Sequence, residues 1–447
     1  MAASTLLCSG TALGQGAPGA DITHSNIQDA SHYGPVGGVH AYAWGSWTCN
    51  IGTSSLSWIN GGTPGLGMNA FRLHGGRLVQ IGLGNAKGGC CVANGSGCGL
   101  TCSSSGFGLR PGCRDIYSSG FNGGQSRLIG RSLINAYTGA FSPIPSGSGD
   151  AIWRRCQVRE SDMSATTFAG ALYIAEGIYV CTEEPAQNKL NNASYRRMTV
   201  ANTGGAPTYV WSPADTTQIG RPAIYAWQDH GLGLNQPDAA VKVMAVDVPG
   251  EGRFFAASRA YDNGNGTWRY EYAVYNLTSD RSGESFQVPV DGNAEITSVF
   301  FSAPTYHSGE VYSNTPWGTA RDTVVGTFRW GSTQKFGQNP NANALRWGTM
   351  YNMSFVVNRP PTLGEASIAL FKPGTPNTIT IAGLDVPDAP ACAADFNGDG
   401  VVTPDDLGDF IDCYFSIPPC GQANVNGDAN IDPDDLGDFI NTYFGPC

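Results

Sequence analysis

Glycine constrains this chain before any motif does: it fills 61 of 447 positions, joined by 27 prolines and set against only modest numbers of Lys, Glu and Leu. Glycine is costly inside helices and proline breaks them, while both serve turns, so short strands joined by turns are favoured over long helices. The sequence therefore predicts a mainly β protein. With 41% hydrophobic and 14% charged residues it can fill two or three cores and carries too little charge for a disordered chain.

Charge is placed unevenly. Residues 395–447 hold eleven Asp and no Glu, Lys or Arg, which leaves 25 acidic against 25 basic residues in 1–394, so the tail carries the whole formal charge of −11. There is no basic stripe, which argues against a nucleic-acid partner, and no apolar run approaches the roughly 20 residues needed to span a bilayer. Thirteen cysteines point to an oxidising compartment. Residues 1–20 read as the remnant of a signal peptide, with Ala12-Leu13-Gly14 resembling a cleavage site although the basic start is missing. Cleavage there removes Cys8 and leaves twelve cysteines, an even number.

Residues 21–245 read as a β-rich, disulfide-containing N-terminal domain with strand-like patches such as "VHAYAWGSW" and "GRLVQIGLG". Within it, residues 86–113 hold five cysteines and little that fills a core, which predicts a disulfide-knit loop. Zinc is the competing reading, but there is no CxxC pair and no nearby His. Cys156 and Cys181 lie in two strand-like runs and are candidates to staple neighbouring strands. Residues 246–386 read as an immunoglobulin-like β-sandwich: in "WRYEYAVYN" Trp268, Tyr270, Tyr272 and Val274 alternate with Arg269, Glu271, Ala273 and Tyr275 after a "DNGNGT" turn, and further strands follow at sandwich spacing. The alternation puts Glu271 on an outward face. Residues 387–394 read as a linker.

The end of the chain is written twice: "DFNGDGVVTPDDLGDFI" at 395–411 recurs as "NVNGDANIDPDDLGDFI" at 424–440. Calcium takes six to eight hard oxygens, and a twelve-residue loop supplies them from alternating side chains, a backbone carbonyl at place 7 and a carboxylate at place 12, with Gly at 6 for the sharp turn. In the first copy the ligand places fall on Asp395, Asn397, Asp399, the carbonyl of Val401, Thr403 and Asp406, with Gly400 at place 6. In the second they fall on Asn424, Asn426, Asp428, the carbonyl of Asn430, and Asp435; Asn424 replaces an acid and Ala429 the glycine, which predicts weaker binding. After each loop a helix starts at Pro404 or Pro433. Leu407, Phe410, Ile411 and Tyr414, like Leu436, Phe439, Ile440 and Tyr443, recur at helical spacing, so the two helices are expected to bury these stripes against each other.

No helix precedes either loop, and this duplicated loop-helix arrangement resembles the dockerin type I module. The resemblance implies Ca2+ as the ion, a secreted protein on a bacterial cell surface, and a protein partner such as a cohesin-like domain. In dockerins, places 10 and 11 take part in partner recognition; here they are Pro404 and Asp405, and Pro433 and Asp434, where that family often has small hydroxyl residues. Pro and Asp are also simply good helix starters, so both accounts stand. Four tail cysteines allow three connectivities; Cys392 with Cys447 and Cys413 with Cys420 is the one expected. The tails of β-rich secreted proteins from planctomycete-type bacteria look similar.

The body shows no catalytic motif. Glu160, Asp162, Glu176, Asp229, Glu251 and Glu271 are carboxylates without a recognisable setting, there is no GxSxG elbow, and the six His show no metal-ligand spacing, so each reads as a turn or surface residue. The expected function is a non-enzymatic structural or adhesive extracellular protein, attached through its tail or assembled through it head to tail into a filament with copies of itself. The alternative is a dockerin-bearing carbohydrate-active enzyme or carbohydrate-binding protein with a polysaccharide partner. Five Asn-x-Ser/Thr sequons, at Asn94, Asn192, Asn265, Asn276 and Asn352, suit a glycosylated surface.

Overall fold

The computed structural model describes residues 18–57, 64–90, 92–93, 95–102, 106–202, 209–388, 392–397, 402–428 and 430–445. The putting together of the chain is mainly β, with 43% strand and 13% helix. Of the signal remnant expected over residues 1–20, residues 1–17 lie outside the described residues.

The first large sheet is built from β1 (Ile22–Val36), β2 (Val39–Asn50), β3 (Gly65–His74), β4 (Arg77–Leu83), β5 (Cys156–Arg159), β6 (Leu172–Val180), β7 (Ala193–Asn202) and β8 (Tyr209–Pro213). Its order is β1-β2-β5-β4-β3-β6-β7-β8, and the pairs along it are antiparallel. Gly37 and Gly38, with φ of +58° and +75°, make the two-residue turn from β1 to β2, a conformation in which two successive side chains would be strained. The sheet rolls until β1 meets the region of its far edge: Ile27 N–H donates to Thr217 Oγ1 at 3.0 Å, and Arg196 of β7 donates to the Ile27 carbonyl at 2.6 Å. Inside the roll lie Tyr42, Trp44, Met68, Tyr179 and Trp211, with the Trp44 and Trp211 rings 5.4 Å apart.

Two further antiparallel sheets follow. One contains β9 (Lys242–Asp247), β10 (Arg253–Asp262), β11 (Trp268–Asn276), β13 (Ile296–Ser302) and β16 (Thr349–Val357); the other contains β12 (Gly283–Pro289), β14 (Gly318–Asp322), β15 (Thr327–Gly331), β17 (Pro361–Leu370) and β18 (Thr378–Pro387). Their orders are β9-β10-β11-β16-β13 and β14-β15-β12-β17-β18. Tyr270, Tyr272 and Phe355 from one sheet share a core with Phe286, Trp330 and Ile368 from the other, so the two lie face to face.

The outer face of the β9-to-β13 sheet is covered as well. Phe255, Ala273, Tyr275 and Met350 form one cluster with Phe71, Ile174 and Ile178 of the first sheet and with Trp227 of the short helix Tyr225–His230. This corrects the reading of Glu271. β11 alternates as expected, but its second face is buried too, and Glu271 is fully buried in a fork from Arg77 of β4, with Nε and Nη2 each 2.6 Å from a carboxylate oxygen; Arg269 also donates. A strand in a middle layer has no outward face.

Cys49 pairs with Cys98, Cys102 with Cys113 and Cys413 with Cys420, at Cα separations of 6.2, 4.2 and 5.2 Å. Cys392 is disulfide-bonded, while Cys447 lies outside the described residues. Cys156 and Cys181 do not staple neighbouring strands: both are buried free thiols. Cys156 begins β5, between β2 and β4, whereas Cys181 follows β6, between β3 and β7, so their strands are not adjacent. Burial pushes the Cys156 thiol up to about 12, which makes it unreactive.

Candidate functional site

The tail contains two helices, α1 (Pro404–Tyr414) and α2 (Pro433–Phe444). Each starts in a reciprocal cap. Thr403 Oγ1 accepts from Asp405 N at 3.3 Å while the Asp406 carboxylate accepts from Thr403 N at 2.7 Å; Asp432 accepts from Asp434 N at 2.9 Å while Asp435 accepts from Asp432 N at 2.9 Å. The residue at place 12 of each loop is thus also the third helical residue of a capping box, so one carboxylate closes the loop and starts the helix. The same groups reach back to the loop entrance: Asp406 accepts from Asn397 N at 3.1 Å, and Asp435 from Val425 N at 2.9 Å and Asn426 N at 3.2 Å. Backbone donors, led by Thr403 N–H for Asp406 and Asp432 N–H for Asp435, hold both carboxyls below their usual range.

In the second loop Asn424 Oδ1 accepts from Gly427 N at 2.8 Å, Asn426 Oδ1 from Asp428 N at 2.9 Å and Asp428 Oδ1 from Asn430 N at 2.7 Å. Those local bonds aim successive side-chain oxygens along one turn and leave each oxygen a further lone pair. In the first loop Asp395, Asn397, Thr403 and Asp406 are described; Asp399, Gly400 and Val401 are not, nor is Ala429 in the second. Among the described residues, which leave out Asp399 of the first loop, no three His, Cys, Asp or Glu side chains gather as a metal cluster.

The donor set fits calcium by its chemistry. It is all oxygen, which suits a hard cation and not a soft one. Residues 395–447 hold eleven Asp and no base, so the region is strongly negative and attracts cations. The core beneath them is small: Ala394, Phe410, Ala423 and Phe439 are fully buried, with the Phe410 and Phe439 rings stacked at 3.9 Å and Phe396 edge-on to both. A unit of this size ordinarily needs a metal or a disulfide beside its core, and the Cys413–Cys420 bridge already supplies one. Pro404, Asp405, Pro433 and Asp434 are all exposed at the helix starts.

The apolar stripes are only partly buried. Ile411 and Ile440 are each 39% exposed, and Phe415 and Phe444 are 67% and 80% exposed. The phenylalanine stack takes up the facing surfaces, which turns the isoleucines one step away to solvent. Both exposed pairs recur at the repeat interval of 29 residues.

The body's carboxylates are mostly committed elsewhere. Glu176 is fully buried and accepts from Asn69 Nδ2 and Ala223 N, each at 2.7 Å, and from Tyr275 OH at 3.0 Å; burial raises its pKa. Beside it, fully buried Arg131 donates to Asn69 Oδ1 at 2.7 Å and to the Gly84, Met68 and Gly348 carbonyls. Asp229 pairs with Arg221 at 2.8 Å, Asp162 with Arg72 at 2.9 Å, and Glu251 accepts from Ser279 Oγ at 2.6 Å. Glu160 is partly exposed, with Oε2 4.0 Å from His40 Nε2. Three histidines are not surface residues: His24 and His40 are fully buried and His230 nearly so, and His40 Nδ1 lies 2.7 Å from His32 Nε2. Nothing in the sequence pattern marks that pair, because strand pairing brings it together. Among the sequons, Asn192, Asn276 and Asn352 are buried and closed to glycosylation in the folded chain; Asn265 is exposed, and Asn94 lies outside the described residues.

No protein-family model matches the sequence, and no curated protein matches it.

Proposed function

We propose that this chain is a secreted, non-enzymatic structural or adhesive protein of a bacterial cell surface, attached or assembled through a dockerin-like calcium-binding tail. The observation that carries the reading is the repeat itself: two loop-helix units, each closed by a place-12 carboxylate in a capping box, stacked through Phe410 and Phe439. Calcium offsets the acids and thereby lets one small core hold both units. The exposed Ile411 with Phe415 and Ile440 with Phe444 give the tail two equivalent apolar spots for a protein partner, either a cohesin-like domain or the body of another copy. The body suits a scaffold: we read its two-sheet region as an immunoglobulin-like sandwich, and five of the six candidate carboxylates serve internal bonds. The disulfides are compatible with an extracellular setting, and among the described residues no helix is long and apolar enough to cross a membrane.

Sedimentation of the full chain at high concentration, in calcium and then in chelator, tests assembly. Self-association that appears with calcium and reverses with chelator is the expected result. A stable monomer in both conditions removes head-to-tail assembly.

A further inference from the structure

We infer that a row of polar hollows on the body is a binding site for an extended, uncharged polysaccharide strand. Three hollows, of about 540, 140 and 240 Å³, share walls: Val39 and Arg159 line the first and second, and Ser302 to Thr305 line the second and third. The first lies at the β1–β2 turn and adds Glu160, Ser161 and Ser164. The second lies where β4 and β5 of the first sheet meet the segment after β13, and adds Gln80, Gln157, Asp162 and His307. The third adds Asn314 and Asn343. The row therefore draws its walls from segments far apart in sequence and crosses the junction between the rolled sheet and the face-to-face pair.

The lining selects the chemistry of its occupant. Gln, Asn, Ser and Thr each donate and accept, as sugar hydroxyls do, so one side chain can meet two neighbouring hydroxyls. Charges nearly cancel along the row: Asp162 is paired with Arg72 at 2.9 Å, and exposed Arg159 stands close to Glu160 in sequence and in the same wall. A strongly charged polymer finds no matching field there. Peptide capture by strand addition is excluded at β5, because β5 is hydrogen-bonded to β2 on one side and β4 on the other and offers no open edge.

A second observation marks the same place. His40 is fully buried, its Nε2 has no hydrogen-bond partner, and it faces Glu160 of the first hollow across 4.0 Å. His307, in the wall of the second hollow, spends Nε2 on the Leu83 carbonyl at 2.5 Å and leaves a buried Nδ1 unpartnered. Buried polar atoms are ordinarily hydrogen-bonded, so each exception calls for an explanation; others occur away from the row, at His24 and Trp330 for example, and these two are the ones that lie at it.

Affinity electrophoresis of the full chain tests this in gels cast with xylan, galactomannan, a soluble cellulose ether or starch, with alginate as the charged comparison, each in calcium and in chelator. The expected result is retardation by at least one neutral polymer that persists in chelator. Arg159→Ala is expected to weaken it by about tenfold, and Thr305→Trp, which fills the second hollow from an exposed position, to abolish it. Both variants should melt within about 2 °C of the parent, as surface substitutions do. The inference is overturned if no neutral polymer retards the protein, if alginate alone does, if chelator removes the retardation, or if Thr305→Trp leaves it unchanged. Because this site does not use the tail, its failure is distinct from failure of calcium-dependent assembly.

Discussion

Buried ionisable side chains are where single residues matter most in this molecule. Glu271 has no solvent to fall back on, and its fork from Arg77 joins the first sheet to the second. Removing Arg77 leaves the buried carboxylate only Arg269, so Arg77→Ala should cost about 2–3 kcal/mol in denaturant unfolding. Asp21 behaves in the opposite sense. Burial raises its carboxyl from 3.8 to about 6, so the folded state holds a proton that the unfolded state has released, and the stability this brings is lost as pH rises from about 4 through 6. Asp21→Asn should therefore raise the melting temperature at pH 7, by an amount corresponding to about 2 kcal/mol, and change little at pH 4. Equal shifts at both pH values would show that the carboxyl's charge is not responsible. His24 and His307 are held neutral by burial, with pKa lowered to about 4, so their contribution is present above 6.5 and lost as pH falls towards 4.

Among the elements, the tail helices are the most exposed to single changes. The four fully buried residues of their core include both stacked rings, so Phe410→Ala removes half of the stack and should cost about 3–5 kcal/mol locally. Proteolysis confined to the tail, with the body intact, is the expected readout; an unchanged tail would mean that the phenylalanine stack does not hold it together. The two loops should also respond differently to repair. Ala429→Gly together with Asn424→Asp restores the first loop's turn residue and acid, and should tighten the second loop's calcium affinity towards that of the first. A calcium titration in which the double substitution changes nothing would remove that explanation of the difference.

At the scale of the whole molecule, what could be read from the chain depended on how local the cause was. The β11 strand was legible because alternation and a turn sit side by side in sequence. That its second face is buried was not, because the covering residue Arg77 lies 194 residues away from Glu271. The tail helices and their caps were legible from Pro, Asp and apolar spacing, yet the division of each stripe into a buried phenylalanine and an exposed isoleucine depends on how the two helices meet. Cys156 and Cys181 misled because two strand-like runs close in sequence take separate places in the sheet. The polar hollows left no sequence signal at all, since their walls come from β2, β4, β5 and the segment after β13.

The claim on which the rest of this reading turns is that the tail binds calcium, and a calorimetric calcium titration of the full chain tests it most directly. The account predicts two unequal binding events, the stronger of them lost in Asp406→Asn. Absence of calcium binding, or a stronger event untouched by Asp406→Asn, would contradict it.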